Sequence, residues 1–166
     1  MKNKKLSVII PAYNEKKTIL EIIKRVKAIK IPKEIIIIDD LSKDGTREIL
    51  KNIKDPEIKV LYHERNYGKS HALKTGIKYS TGEVIIIQDA DLEYDPQDYY
   101  KLVEPIFSGK EKVVYGTRFP RKSGHPSFFH PYASLFNRYY FANKIGFNES
   151  SALLQGFCHR RKCLQG

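Results

Sequence analysis

The sequence VIIIQDADLEYDPQD occupies Val84–Asp98 and decides the fold. Four apolar residues, typical of a short buried strand, run directly into Asp89 and Asp91, and Asp95-Pro96 is a typical helix start. Ligands of α/β sheets bind just beyond the carboxyl ends of the strands. Two carboxylates at i and i+2 can converge there on one divalent cation and on the phosphates that it carries. The stretch therefore predicts a metal–nucleotide site at a sheet edge, and an enzyme.

Apolar runs alternate with helical periods on either side of this stretch. The predicted strands are Leu6–Ile10, Glu34–Ile38, Lys59–Tyr62, Val84–Gln88 and Lys112–Tyr115. The predicted helices begin at Asn14 or Glu15, after Thr46, at Ser70 and at Asp95. Strands and helices that alternate at this spacing indicate βαβ units, so we expect an α/β fold with a mostly parallel central sheet flanked by helices.

Length, composition and charge limit the class of protein. The chain has 166 residues, enough for one domain, with 41% hydrophobic and 30% charged residues, which is ordinary globular composition. A net charge of +11 favours polyanionic partners, such as nucleic acid, anionic lipid or phosphorylated substrates, although solvated lysine faces would explain it equally well. Cys158 and Cys163 are expected to be free thiols in a reducing cytosol.

Targeting signals are not recognisable in the sequence. No apolar run approaches the length of about 18 residues that a transmembrane helix requires. The first residues, MKNKKLSVII, enter a strand at once and lack a small-residue cleavage site, so we expect no signal peptide. The predicted location is therefore cytoplasmic.

Chemically capable side chains follow four of the predicted strands. They are Pro11-Ala12-Tyr13-Asn14-Glu15, Asp39-Asp40, Asp89-Ala90-Asp91 and Gly116-Thr117-Arg118. If the sheet is parallel, all four groups share one edge. There a divalent ion at Asp89 and Asp91 would neutralise a diphosphate.

The other side chains at this edge have possible ligand contacts. Asp39 or Asp40 could hydrogen-bond a base or ribose, Tyr13 could pack on a base, and Arg118 and Lys69 could reach phosphates. Structural alternatives remain open, since Asp39-Asp40 could cap the next helix and Tyr13 could be a packed aromatic. A P-loop is excluded because His63 stands where GxxxxGK requires glycine, and no GxGxxG, GxSxG, HExxH or paired CxxC occurs.

Several ordered blocks resemble glycosyltransferase family 2, especially its dolichyl-phosphate mannose synthase-like branch. They are SVIIPAYNE, IIIIDDLSKDGT, NYGKSHALKTGIKYSTGEVIIIQDADLEYDP and VVYGTRF, and the resemblance runs from about Leu6 to Phe119. It implies a GT-A fold and transfer of a hexose, mannose or glucose, from a nucleotide diphosphate sugar (GDP- or UDP-hexose) with inversion. It also implies a polyprenyl phosphate acceptor, which is already anionic and removes the need for a dedicated general base. The basic surface would suit that acceptor and an anionic membrane, which places the protein peripherally on the cytoplasmic membrane face.

The resemblance also assigns roles to individual residues. By position, the nucleotide-sugar site would contain Pro11, Ala12, Tyr13, Glu15, Ile38, Asp40, Lys69, Asp89 and Ala90. Asp91 would hold Mg²⁺ or Mn²⁺, with Asp89 beside it and Glu93 as a further ligand. Asp89, Asp91 and Arg118, which would lie near the diphosphate, form the predicted catalytic set.

Three departures from the family pattern affect these expectations. Leu41 stands where the family usually has glycine, so a positive φ there would strain the loop. Related chains continue well past residue 166, and Ser123–Gly166 does not follow the family pattern. We therefore expect a nucleotide-sugar-binding domain over residues 1–119 and a divergent acceptor-side tail over 120–166, which a truncation or a frame shift would leave incomplete.

Other functions remain open at this level. A transferase for a cell-wall or capsule glycan would use the same donor site with another acceptor. A non-catalytic donor-binding remnant would retain the site without sugar transfer. Nucleic-acid binding is not expected, because no aromatic-basic motif of a known type accompanies the positive charge.

Overall fold

A computed structural model describes residues 4–111 and 113–114 and the backbone of residues 158–160. A six-stranded sheet forms its centre, with helices on both faces. The strands are β1 Leu6–Ala12, β2 Lys33–Asp39, β3 Ile58–Tyr62, β4 Val84–Ile87, β5 Val113–Val114 and β6 Cys158–Arg160. The helices are α1 Ile19–Ala28, α2 Thr46–Lys51, α3 Lys69–Tyr79 and α4 Tyr99–Phe107, with a 3₁₀ turn at Pro96–Asp98.

The sheet has the order β3-β2-β1-β4-β6-β5. The first four of these strands are parallel, whereas β6 runs antiparallel to both β4 and β5. The predicted α/β fold with a mostly parallel sheet is confirmed, and the carboxyl ends of β1 to β4 share one edge. Strand β6 lies beyond residue 119, so this part of the tail belongs to the same sheet.

Side chains alternate between the two faces of the sheet, as the pleat requires. On one face Val8, Ile10 and Ile37 pack in a cluster with residues of α1, α2 and α4. On the other face Ile9 and other strand residues pack against α3. Because both faces are covered, the strands are continuous apolar runs, which is typical of parallel sheets.

Helix α3 approaches the sheet closely at Gly76. A Cβ atom at this position would lie 2.4 Å from Ile9 Cγ2 and 2.9 Å from Ile38 Cδ1. A glycine in mid-helix therefore serves packing here despite its unfavourable helix propensity. The close approach brings the amino end of α3 over the edge where β1, β2 and β4 end.

The start of the first helix was predicted wrongly. The sequence places it at Asn14 or Glu15, whereas α1 begins at Ile19. Asn14 adopts a left-handed conformation with φ 59°, which a helix cannot contain, and a turn then leads from Glu15 to Thr18. Of the predicted fifth strand at 112–115, Val113 and Val114 form β5, and residues 112 and 115 lie outside the described residues. Within the described part of the chain, no helix is long and apolar enough to cross a membrane.

Candidate functional site

A cleft of about 260 Å³ opens at the carboxyl edge of the sheet. Its lining comes from the end of β1, from the loops that follow β1, β2, β3 and β4, and from the start of α3. The lining residues are Pro11, Ala12, Tyr13, Glu15, Asp40, Asn66, Gly68, Lys69, Ala72, Asp89, Ala90 and Asp91. Most of the residues predicted for the site therefore lie around one cavity.

The loop after β1 is fastened to the loop after β2 by side-chain hydrogen bonds. The Asn14 N–H donates to Ser42 Oγ at 3.0 Å, and Asn14 Oδ1 accepts from the Lys43 N–H at 2.8 Å. The Glu15 N–H donates to Thr46 Oγ1 at 2.9 Å. These bonds hold Tyr13 at the mouth of the cleft, where 47% of its surface is exposed and free to stack on a ring.

The two adjacent aspartates at the carboxyl end of β2 have different surroundings. Asp39 is fully buried and accepts from Arg47 Nε at 2.5 Å and from the Ser42 N–H at 3.3 Å. Asp40 lies in the wall of the cleft. Neither residue caps α2, whose N-cap is Gly45, so the alternative of a helix cap does not hold. Of the two aspartates, Asp40 is the one with access to a ligand.

Asp40 holds the loop after β3 in place. Its carboxylate accepts from the N–H groups of Tyr67 at 3.0 Å and Gly68 at 2.7 Å, and lies 2.6 Å from His63 Nδ1. Burial alone raises the pKa of Asp40, but these hydrogen bonds outweigh it and lower the pKa below its ordinary value. Asp40 therefore stays ionised and fixes this part of the cleft wall.

The buried His63 is a partner of Asp40 that the sequence analysis did not single out. Its Nε2 lies 3.0 Å from Thr75 Oγ1 on α3, so the ring connects Asp40 to that helix. Asn66, Gly68 and Ala72 also line the cleft without having been predicted. The signal was present, since the loop after β3 had to reach the same edge as the loops after the other parallel strands.

Asp89 and Asp91 lie on the turn that follows β4. Asp89 is 6% exposed, and its Oδ1 lies 2.6 Å from Lys69 Nζ. Asp91 is exposed in the cleft, and its Oδ1 accepts from the Glu93 N–H at 3.1 Å. Burial raises the pKa of Tyr94, and the charges of Asp89 and Asp91 raise it further, which indicates that both carboxylates lie close to this phenol.

Buried hydrogen bonds support this turn from below. The Gln88 amide donates to the Asp89 carbonyl at 3.0 Å and accepts from the Tyr99 hydroxyl at 2.7 Å. Leu92 then adopts φ 64°, in the left-handed region that is typical of turns. The bonds through Gln88 tie the end of β4 to the start of α4, so the position of Asp89 is fixed by two elements.

Two predicted site residues lie outside the cleft wall, and a third is not among the described residues. Ile38 is fully buried in the cluster beneath α3, where its side chain contacts the core and does not line the cleft. Glu93 is exposed and is not part of the cleft wall. Arg118, with Gly116 and Thr117, lies outside the described residues.

The charge of the cleft suits a cation. Four carboxylates and one ammonium, those of Glu15, Asp40, Asp89, Asp91 and Lys69, belong to its described lining. No three His, Cys, Asp or Glu side chains come together as a metal cage anywhere in the part of the chain that the structure describes. Mg²⁺ commonly uses one or two carboxylates together with substrate phosphates, so Asp89 and Asp91 fit such an ion.

The loop after β2 carries backbone strain at Leu41. Its φ is 61°, in the left-handed region where a branched, bulky residue is costly. The sequence analysis expected strain if this position required a positive φ, and the structure confirms that requirement. Leu41 directly follows Asp40, so the strain lies next to the cleft.

Comparison with known proteins supports a common origin with sugar transferases. The undecaprenyl-phosphate 4-deoxy-4-formamido-L-arabinose transferase of Pectobacterium carotovorum is 40% identical over 118 residues, 66% of this chain and 36% of that protein. The dolichol-phosphate mannosyltransferase of Pyrococcus furiosus is 35% identical over 118 residues, 69% of this chain and 33% of that protein. The chain thus spans well under half the length of the curated relatives that it matches.

Solved structures show the same fold. The mannosyltransferase PcManGT from Pyrobaculum calidifontis, solved with GDP-Man and Mn²⁺, superposes with a TM-score of 0.64 at 27% identity. The superposition covers 72% of this chain and 37% of that one. The predicted GT-A fold is therefore confirmed. The family model described as "Glycosyl transferase family 2" matches residues 7–162, well past Phe119, and the chain belongs to that family.

Proposed function

We propose that this chain forms the donor site of a metal-dependent, inverting glycosyltransferase that moves a hexose, mannose or glucose, from a nucleotide diphosphate sugar to a polyprenyl phosphate. The observation that carries the proposal is the set of four carboxylates around the cleft. An anionic diphosphate would be repelled by these carboxylates alone, whereas a divalent cation would join the two. The proposal extends what the family relatives do, by their names, to this chain.

In this proposal Asp89 and Asp91 hold Mg²⁺ or Mn²⁺ together with the donor phosphates, and Glu93 is a further ligand. The ion, when bound, would stabilise the diphosphate as it leaves the sugar. Gln88 and Tyr99 keep Asp89 in place, because their hydrogen bonds fix the turn that carries it. The Mn²⁺ in the solved mannosyltransferase supports a divalent ion for this chain too.

Other side chains bind and orient the donor. The half-exposed ring of Tyr13 stacks on the base, and Asp40 accepts one further hydrogen bond from the base or ribose. Pro11, Ala12, Glu15 and Ala90 complete the wall of the cleft, and Ile38 supports it from the core. Lys69 and Arg118 bind the phosphates.

Transfer to a polyprenyl phosphate would not require a dedicated general base. A polyprenyl phosphate oxygen is already ionised at neutral pH, so the main chemical demand is departure of the diphosphate. The net charge of +11 favours an anionic lipid headgroup and the cytoplasmic face of a membrane. The undecaprenyl-phosphate transferase among the relatives supports this class of acceptor.

A transfer assay tests the proposal. We would incubate the protein with labelled GDP-mannose or UDP-glucose, detergent-solubilised polyprenyl phosphate and Mn²⁺ or Mg²⁺, and measure labelled lipid. We expect metal-dependent product from one donor and a loss on the order of 100-fold in Asp91→Asn. Asp98→Asn is the matched control, because that carboxylate is 61% exposed at the start of α4 and lies outside the cleft wall.

The outcomes separate the alternatives. Full activity in Asp91→Asn would contradict the metal role of this residue. Transfer to an oligosaccharide but not to polyprenyl phosphate would indicate a cell-wall or capsule glycan transferase. The strain at Leu41 favours one second candidate, a donor-binding remnant, which tight donor binding without transfer or hydrolysis would support.

A further inference from the structure

Lys69 and Asp89 form an ion pair inside the cleft. Lys69 is the first residue of α3, and its Nζ lies 2.6 Å from Oδ1 of Asp89. The Asp89 side chain is only 7% exposed. A nearly buried carboxylate is costly unless an opposite charge compensates for it, so Lys69 serves as the counterion of Asp89 in the ligand-free protein.

The lysine occupies one of the two carboxylates proposed for the divalent ion. An ammonium group in direct contact with Asp89 Oδ1 repels a dication that approaches the same oxygen. In the free protein, Lys69 therefore competes with the ion for Asp89. The ion binds well only if the ammonium moves away or its charge is compensated.

The two partners differ in freedom of movement. The Lys69 side chain is 45% exposed and flexible along its four-carbon stem, whereas Asp89 is buried and its turn is held by Gln88. Gly68, before the lysine, has φ 84°, and a Cβ atom at this position would meet nothing within 4 Å. The lysine can therefore leave the pair while the carboxylate stays in place.

A diphosphate in the cleft would give the displaced ammonium a new partner. Its oxygens carry negative charge within the same cavity that Lys69 and Asp89 both line. The ammonium can then exchange a carboxylate oxygen for a phosphate oxygen without becoming unpaired. A divalent ion would then meet Asp89 Oδ1 without a competing ammonium group.

We propose that Lys69 is an exchangeable counterion that occupies Asp89 in the free protein and makes metal binding depend on the presence of a nucleoside diphosphate. The metal and the diphosphate then favour each other's binding, by the same factor in both directions. This inference rests on the proposed function, because it takes Asp89 as a metal ligand.

Electron paramagnetic resonance of free Mn²⁺ tests the inference without any turnover. We would titrate the wild-type protein and Lys69→Met with Mn²⁺, alone and with GDP or UDP, and subtract protein-free titrations of the same nucleotide. Methionine removes the charge and keeps an apolar stem of similar length. We expect Lys69→Met to bind Mn²⁺ alone about tenfold more tightly than the wild type, and the enhancement by nucleotide to shrink by a similar factor.

Lys74→Met is the matched control, because Lys74 is an exposed lysine on the same helix outside the cleft wall. It should leave Mn²⁺ affinity unchanged, and thermal melts should show that both variants are folded. An equal gain in both variants, or no gain in Lys69→Met while the wild type still binds Mn²⁺ with nucleotide, would overturn the inference and leave the proposed function intact. A wild-type protein that binds no Mn²⁺ with either nucleotide would overturn both.

Discussion

Strand β2 has a hydrogen-bonded carboxylate at each end, and the two carboxylates have different surroundings. Glu34 lies near its amino end and Asp40 directly follows its carboxyl end. Each accepts several hydrogen bonds from neighbouring segments, and each has a pKa below its ordinary value. The first, however, lies in a network of protein groups, whereas the second lies in the wall of a cleft.

Around Glu34 the protein itself supplies the donors. Ser7 Oγ donates at 2.5 Å, the N–H groups of Thr81 and Gly82 donate at 2.5 and 3.1 Å, and Lys5 Nζ lies at 3.2 Å. Burial raises the pKa of Glu34, but these hydrogen bonds lower it to about 2. The network joins β1, β2 and the turn before β4, so its role is structural.

Around Asp40 the same type of interaction leaves room for a ligand. The bonds to Asp40 come from His63, Tyr67 and Gly68 in the loop after β3, and Asp40 also lines the cleft. A low carboxylate pKa therefore does not by itself distinguish a structural site from a binding site. The open space beside the carboxylate makes that distinction.

The largest expected effect is a loss of stability at the amino edge. In Gly82→Ala the new Cβ would lie 2.7 Å from Lys5 O and from Ser7 N, both backbone atoms that cannot easily move. We expect the free energy of unfolding to fall by about 3 kcal/mol, as measured by urea denaturation. The matched change at the carboxyl edge is Gly68→Ala, where the space is open but the backbone, at φ 84° and ψ 161°, lies in a region that essentially only glycine adopts, so we expect a loss of about 2 kcal/mol. Equal losses of unfolding free energy in Gly82→Ala and Gly68→Ala would show that the two edges are packed alike.

The next effect concerns the Glu34 charge. Folding lowers the Glu34 pKa from 4.5 to about 2, so its contribution to stability is complete above about pH 4.5 and is lost as the pH falls towards 2. We expect Glu34→Gln to lose about 2 kcal/mol at pH 7 and to show a weaker acid dependence between these pH values. Nucleotide-sugar affinity should not change. A lower nucleotide-sugar affinity in a folded Glu34→Gln protein would contradict a purely structural role of Glu34.

Asp40→Asn should weaken donor binding, which Glu34→Gln leaves unchanged. The amide loses the charge and one of the two acceptor oxygens that the loop after β3 requires. We expect donor affinity, measured by calorimetry, to fall about tenfold, or about 1.4 kcal/mol. The Glu34→Gln protein is the control. Unchanged donor affinity in Asp40→Asn would mean that this carboxylate is structural, like Glu34.

The smallest expected effect is a gain in stability at position 41. Leu41→Gly removes the strain of φ 61°, although glycine is also more flexible in the unfolded chain. We expect a net stabilisation of about 0.5 kcal/mol in thermal or urea unfolding. A loss of stability would show that the packing of the leucine side chain outweighs its backbone strain.

The sequence predicted five of the six strands that the structure describes, and the order of the described helices, because buried parallel strands are continuous apolar runs. The sixth strand, Cys158–Arg160, lies outside any recognisable pattern, because it depends on pairing with two distant strands. The start of α1 was misplaced, since helical periodicity cannot reveal the left-handed Asn14 or the turn that follows it.

The candidate site was predicted from strand ends, and this rule brought together the residues that line the cleft. The rule could not separate Asp39 from Asp40, because only the three-dimensional structure shows which carboxylate Arg47 occupies. The loop after β3 was not predicted to line the site, because its polar residues resemble those of an ordinary turn. The roles of Arg118 and Glu93, and the division at residue 119, stay predictions.

The central claim is that the carboxyl edge forms a metal-dependent nucleotide-sugar site. Calorimetric titration of GDP-mannose and of UDP-glucose, each with and without Mn²⁺, tests it most directly. We predict that one of the two donors binds and that its binding requires Mn²⁺. The Asp91→Asn variant should lose this Mn²⁺-dependent binding. Absence of binding by either donor in the presence of Mn²⁺, or equal binding without the metal, would contradict it.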